Sequence, residues 1–202
     1  MADAQYYPDD WKEYVSALKR QGKEPNQAWG IAASRYRVAG NFCGANFFQL
    51  SESITRGYDR AIQLLLAYSA FEAACSARGL KPEDRSVRSD TGFSKDARVK
   101  LLKAFGSLPD TDFPLKSSLS NATLTQKVEG FFRKEHSNLQ PVAAAMRHLF
   151  AHGLWTPHGA SVLSKPACEA IDLLAQSVLR EVDQMLGEEL SDVTGQGANY
   201  SA

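Results

Sequence analysis

An arginine and two histidines crowd the end of one short apolar stretch, Pro141-Val-Ala-Ala-Ala-Met-Arg-His-Leu-Phe-Ala-His-Gly153. Imidazoles titrate near neutral pH and so take and give protons. A guanidinium is a permanently charged planar fork that fits phosphate or carboxylate oxygens. Arg147, His148 and His152 together therefore hold what proton transfer beside an anion requires. On a helix His148 and His152, four apart, share a face. Arg147 and His152, five apart, lie about 140° around it, so the length of the arginine must bridge that angle. A purely structural account competes: cations near a helix C-terminus complement its dipole and its last carbonyls. All four histidines of the chain, His136, His148, His152 and His158, fall in this neighbourhood.

The element that carries them is an alanine-rich helix. Pro141 suits its first turn, Asn138 or Ser137 can cap it, and Gly153 stops it. Upstream, Asp9 or Asp10 can start a helix with Trp11, Tyr14, Val15 and Leu18 on one face and Gly22 at its end. A second helix over 26–38 carries Trp29, Ala32, Ala33 and Tyr36 at helical spacing. The longest should run from Ser53 to Arg78, with Ile54, Tyr58, Ala61, Leu65 and Tyr68 repeating every three or four residues and Leu64, Phe71 and Cys75 widening the stripe. Glu72 falls on that stripe, where a carboxylate either reaches water from the edge or meets a buried cation such as Arg147. Further helices are expected from Ser94 or Asp96 to Gly106, from Asn121 to Lys134 with Leu124, Val128, Phe131 and Phe132 inward, and from Ser164 onward with Ile171, Leu174, Val178, Val182 and Met185 buried. The polar run 83–93, the proline-containing 107–120 and the Leu154 to Gly159 turn read as loops.

Every apolar pattern thus has helical period. The expected fold is all-α, an antiparallel helical bundle of about five core helices, with residues 1–50 an N-terminal helical extension, 51–187 the bundle and 188–202 a flexible tail. In the 202 residues, Lys plus Arg and Asp plus Glu are both 23, which speaks against a broad electrostatic footprint for duplex DNA. The one basic stretch lies between Arg78 and Lys103; a solvated face or a basic surface near an RNA site would both look like this. Between Glu169 and Asp192 acids outnumber a single Arg180, so that helix should repel phosphate. Three widely spaced cysteines, Cys43, Cys75 and Cys168, suggest reduced, mostly buried thiols and a cytoplasmic location. The first residues have neither a basic head nor an apolar core, and the most apolar stretch is interrupted by Gln63 and Glu72, so no membrane span is expected.

Arg147-His-Leu-Phe-Ala-His152 resembles the signature of the HEPN superfamily: an arginine, four to six residues, then a histidine, on the penultimate core helix of a helical bundle. His148 takes the polar position that usually follows the family's arginine. The His152-Gly153 ending and Tyr68-Ser-Ala-Phe-Glu-Ala73 on an earlier long helix are also similar, and the resemblance spans roughly Ser51 to Gly187. It implies a metal-independent endoribonuclease or RNA-binding domain acting on single-stranded RNA, commonly a homodimer, found in toxin, defence and RNA-processing systems, with many inactive members. Arg147 would stabilise the charged phosphorane, His152 would act as base or acid, and His148 would position phosphate, carry a second proton or orient Arg147. Glu72 would support Arg147. No cofactor or metal is implied, and an antitoxin protein is a possible partner. Leu149, Phe150 and Trp155 are the expected dimer contacts.

Two other classes fit the same residues. One is a non-catalytic RNA- or protein-interaction module. The other is a His-rich metal-binding bundle, in which His148-x-x-x-His152 has one-face ligand spacing and His136 or Glu135 would complete the site.

Overall fold

Glycine and short polar caps divide the chain into helices. The computed structural model describes residues 9–88, 121–152 and 165–194. They form six α-helices and no strand: α1 (Asp9–Arg20), α2 (Gln27–Gly40), α3 (Glu52–Ala77), α4 (Ala122–Phe132), α5 (Gln140–Ala151) and α6 (Lys165–Thr194), with one 3₁₀ turn at Pro82–Asp84. The expected helix over 94–106, the loop over 107–120 and the turn around Trp155 lie outside the described residues. Asn26, Ser51 and Asn121 cap α2, α3 and α4 through their side-chain oxygens. α1 and α3 both close with a glycine in the left-handed region, Gly22 and Gly79, each at φ 69°. After α3 the amide of Leu80 bonds back to the Cys75 carbonyl (2.9 Å) and that of Gly79 to Ser76 (3.0 Å), so orphaned carbonyls of the last turn are satisfied.

α3 is the axis of the core. Its fully buried face is Leu64, Ala67, Ala70, Phe71, Ala74 and Cys75, displaced from the expected stripe because Leu65 is only partly covered while Leu64 is sealed. Alanines on this face let neighbouring helices approach closely, and the large side chains that fill the space come from those neighbours: Trp29 and Tyr36 of α2, Phe131 of α4, Met146 of α5, Ile171, Leu174 and Met185 of α6. The same residues place part of the expected N-terminal extension in the core. α2 is not an appendage, since it contributes Trp29, Ala32, Ala33, Tyr36 and Ala39 to the one core.

Orientation also departs from expectation. α2 lies antiparallel to α3, as Arg35 reaches the Ser69 carbonyl while Gln63 reaches that of Ala39. α6 instead runs parallel to α3: Arg60 pairs with Asp172 at one end and Arg78 with Glu188 at the other. α5 is parallel too, with Gln140 on Tyr68 and Arg147 on Glu72. The connection that follows α3 is long enough to return the chain to its start, so nothing forces the hairpin geometry that short loops impose.

α6 also continues to Thr194, past Gly187, where a flexible tail was expected to begin. Its extra turns are held by long-range partners: Leu186 is buried and Leu190 packs on the core, Glu188 binds Arg78 and Arg85, and Glu189 accepts from the Tyr14 hydroxyl (3.2 Å). The acids of this helix are mostly engaged. Asp172 takes Arg60 (2.7 Å), Glu181 takes Arg85 (2.6 Å) and Asp183 accepts from Tyr36 (2.9 Å). Rather than a surface that repels phosphate, α6 is a row of sockets for the cations and phenols of the preceding helices. Arg78 and Arg85 of the basic stretch are therefore not a solvated face, and Arg78 also stacks over Trp29 at 5.8 Å.

Candidate functional site

α5 begins where two segments are clipped together. Leu139 occupies the cap position without a side-chain cap, and Asn138 does that work from one residue earlier. Its Oδ1 accepts the amides of Gln140 (3.0 Å) and of Val87 (3.0 Å), while the Leu139 amide donates to the Val87 carbonyl (3.0 Å). Val87 is sealed in the core by this arrangement. The start of α5 is thus fixed to the segment that leaves α3, and its apolar face, Val142, Ala143, Ala145, Met146 and Leu149, is buried.

Two polar contacts then run up the α3–α5 seam. Gln140 Nε2 donates to the Tyr68 hydroxyl (3.0 Å) in a buried position. Burial pushes the Tyr68 phenol above its usual range, and the negative Glu72 adds to the rise against the opposing pull of Gln140 and Arg147. About two helical turns further along α5, Arg147 Nη2 lies 3.4 Å from the Glu72 carboxylate. The side chains of Arg147 and Glu72 are 42% and 34% exposed, so the pair sits at the edge of the stripe rather than beneath it. Glu72 reaches water from the stripe edge, and it also meets Arg147, but as a half-exposed cation and not the buried one expected.

The two histidines occupy the last turn. The rings of His148 and His152 stand 4.3 Å apart between centroids and are tilted by 50°. His152 is the C-cap residue (φ −95°, ψ 5°), and its amide donates to the His148 carbonyl (3.1 Å). It is exposed. The helix end therefore carries a half-exposed guanidinium anchored on one side by Glu72 and a pair of close imidazoles, one of them open to solvent. This arrangement can receive an anion and exchange protons with it.

The other expected contributors lie elsewhere. His136 hydrogen-bonds the Lys127 carbonyl through Nε2 (2.8 Å) and ties the α4–α5 loop to α4. It precedes α5, whose 12 residues put its ends roughly 18 Å apart, so His136 and Glu135 do not complete a site with His148 and His152. Among the described residues no group of three or more His, Cys, Asp or Glu is placed to hold a metal ion. His158 and Trp155 lie outside the described residues. Leu149 is 4% exposed and belongs to the core, and Phe150 packs partly against it, so Leu149 is not available as a dimer contact. Cys75 and Cys168 are buried, with burial pushing the Cys75 thiol up to about 11, but Cys43 is exposed.

Sequence reasoning missed Gln140 and its contact with Tyr68, which joins α3 and α5 beside the ion pair. The signal was present in the polar Gln140 before an otherwise apolar run and in Tyr68, four residues before Glu72 on the same helix face. No family model, curated relative or solved structure matches the chain. Among the described residues no helix is long and apolar enough to cross a membrane.

Proposed function

We propose that this protein is a HEPN-like, metal-independent endoribonuclease that cleaves single-stranded RNA at the end of α5, through a composite site built by two copies of the chain. The observation that carries this reading is that the last turns of α5 bear both a half-exposed Arg147, held by Glu72, and the closely spaced imidazoles of His148 and His152. Cleavage by the neighbouring 2′-hydroxyl needs a base, an acid and a cation for the phosphorane. The base attracts the hydroxyl proton, the attacking oxygen forms a bond to phosphorus, and the 5′-oxygen leaves with a proton from the acid. Two imidazoles can divide those proton transfers, and the guanidinium fork can hold two phosphate oxygens. An isologous dimer would place a second set beside the first. A toxin, defence or RNA-processing role, with an antitoxin as partner, rests on the resemblance alone, and a cytoplasmic location on the cysteine pattern.

The test is cleavage of a fluorescent single-stranded RNA by purified protein in EDTA, with light scattering at micromolar concentration on the same sample. Cleavage and a dimer are the expected results. A fully active monomer would remove the composite site, and metal-dependent cleavage would remove the mechanism. The non-catalytic module remains the second reading because the Glu72 pair gives Arg147 a structural duty of its own. RNA binding without cleavage would select it.

A further inference from the structure

A cleft of about 370 Å³ opens where the end of α2 and the loop after it meet α3 and α6. It is separate from the α5 site, because the stretch of α3 from Arg60 to Glu72 spans roughly 18 Å. Its charged lining is two arginines, Arg56 and Arg60, and two aspartates, Asp59 and Asp172. Charge alone would balance, but the hydrogen bonding does not.

Each carboxylate already accepts from the protein, Asp59 through one oxygen and Asp172 through both, which leaves fewer open acceptor sites than the two guanidiniums have open donors. Asp59 Oδ1 accepts the Ala45 amide (2.8 Å), and this carboxylate lies against Gly44, whose φ of 122° turns the loop there. Asp172 accepts from Arg60 Nη1 (2.7 Å) through one oxygen and from Gln176 Nε2 (3.1 Å) through the other. The arginines are less fully committed. The contact of Arg60 with Asp172 engages one nitrogen of a fork that carries five N–H donors. Arg56 meets Glu52 at 3.1 Å, but Glu52 is 91% exposed, so that partner is a solvated surface carboxylate four residues away. The two guanidiniums are themselves four apart on one face of α3 and open to solvent at 45% and 40%. Gln63 spends its amide N–H on the Ala39 carbonyl (2.7 Å), and Phe42 and Leu179 supply the apolar wall. A surplus of charged donors beside an apolar wall matches an anionic head on an apolar body.

We propose that this cleft binds a small organic oxyanion, a carboxylate or phosphate carried on an aromatic or short aliphatic body. The anion would be held by Arg56 and Arg60 and the body by Phe42 and Leu179. The volume sits near the lower end of the roughly 300–1,000 Å³ usual for ligand pockets, which suits a compact ligand and not a peptide. The proposal does not depend on the RNA-cleaving role of α5.

Cys43 lines the cleft and is the exposed cysteine of the three, so its alkylation reports occupancy. The full chain would be treated with N-ethylmaleimide in the presence of phenyl phosphate, benzoate, inorganic phosphate or benzyl alcohol, each at millimolar concentration. Phenyl phosphate or benzoate is expected to slow Cys43 modification by at least about tenfold, and the stronger of the two identifies the anion; the charge alone and the body alone should each slow it less than about twofold. Arg56→Gln, a change at an exposed side chain, should abolish the protection while leaving the melting temperature unchanged. Equal protection by benzyl alcohol, protection that survives Arg56→Gln, or no protection by either organic anion would overturn the proposal. A measurement free of substitutions runs alongside: protein already alkylated at Cys43 should show no heat of binding with the protecting anion, and unchanged binding there would equally overturn it.

Discussion

On the proposed reading, proton transfer and charge at the end of α5 would fall to different side chains, so substitutions separate them. His152→Ala is expected to lower the cleavage rate on single-stranded RNA by about 10²–10⁴, the range of general acid–base catalysis, without loss of helicity. Arg147→Ala should be similarly damaging and Arg147→Lys should not restore activity, because an ammonium lacks the planar fork. His148→Asn should be milder, since it keeps a polar contact and loses only the proton. Wild-type rates in both His152→Ala and Arg147→Ala would reduce the motif to an ordinary helix end. Glu72→Gln distinguishes position from stability. The ion pair is partly exposed at both partners, so its loss should cost at most about 1 kcal/mol in thermal melts. The cleavage rate should nonetheless fall, because an unanchored guanidinium samples many rotamers; a melting temperature that drops by far more would mean the pair is structural first. The arginine and histidines were legible from residue type and spacing, and Glu72 from being a carboxylate on an apolar stripe. That its partner would be half-exposed and not buried was not legible, since that depends on how far α5 sits from the stripe edge.

At the scale of elements, the helices of the described residues follow from their caps and periodicity, while their pairing and their ends do not. Gly187 stands as a helix stop in the sequence, yet α6 passes through it because Glu188 and Glu189 find partners more than a hundred residues away. Such partners leave no local trace. Burial by itself would raise the Glu188 carboxyl, but hydrogen bonds from Gln184 and Arg78 and the charges of Arg78 and Arg85 hold it below its usual 4.5. A carboxyl lowered in the folded state contributes stability that is complete above its unfolded value and disappears as pH falls through the folded one. The melting temperature should therefore drop as the pH is taken below about 4.5. Glu188→Gln should lower the melting temperature at pH 7 and flatten that acid limb, and an unchanged limb in the variant would assign it to other carboxyls. Arg85 shows the converse: burial depresses the guanidinium, but Glu181 and Glu188 more than offset it, so it remains charged between α6 and the segment leaving α3.

For the whole molecule, α2, inside the expected N-terminal extension, helps to complete the core. Trp29 and Tyr36 are among its largest fully buried side chains. Removing residues 1–50 should therefore leave an expanded, dye-binding protein without a cooperative thermal transition, where a true extension would leave the melt intact. This role of α2 was not legible because amphipathic helices look alike whether they pack on a finished surface or fill a hole in an unfinished one. The parallel arrangement of α3 and α6 has a consequence during synthesis. The antiparallel α2–α3 hairpin can form as soon as it leaves the ribosome, but Asp172, Glu181, Asp183 and Glu188, the acceptors for Arg60, Arg85, Tyr36 and Arg78, emerge about a hundred residues later. At roughly 5–20 residues per second, the nascent hairpin spends several seconds with its alanine-lined face open and its cations unmatched.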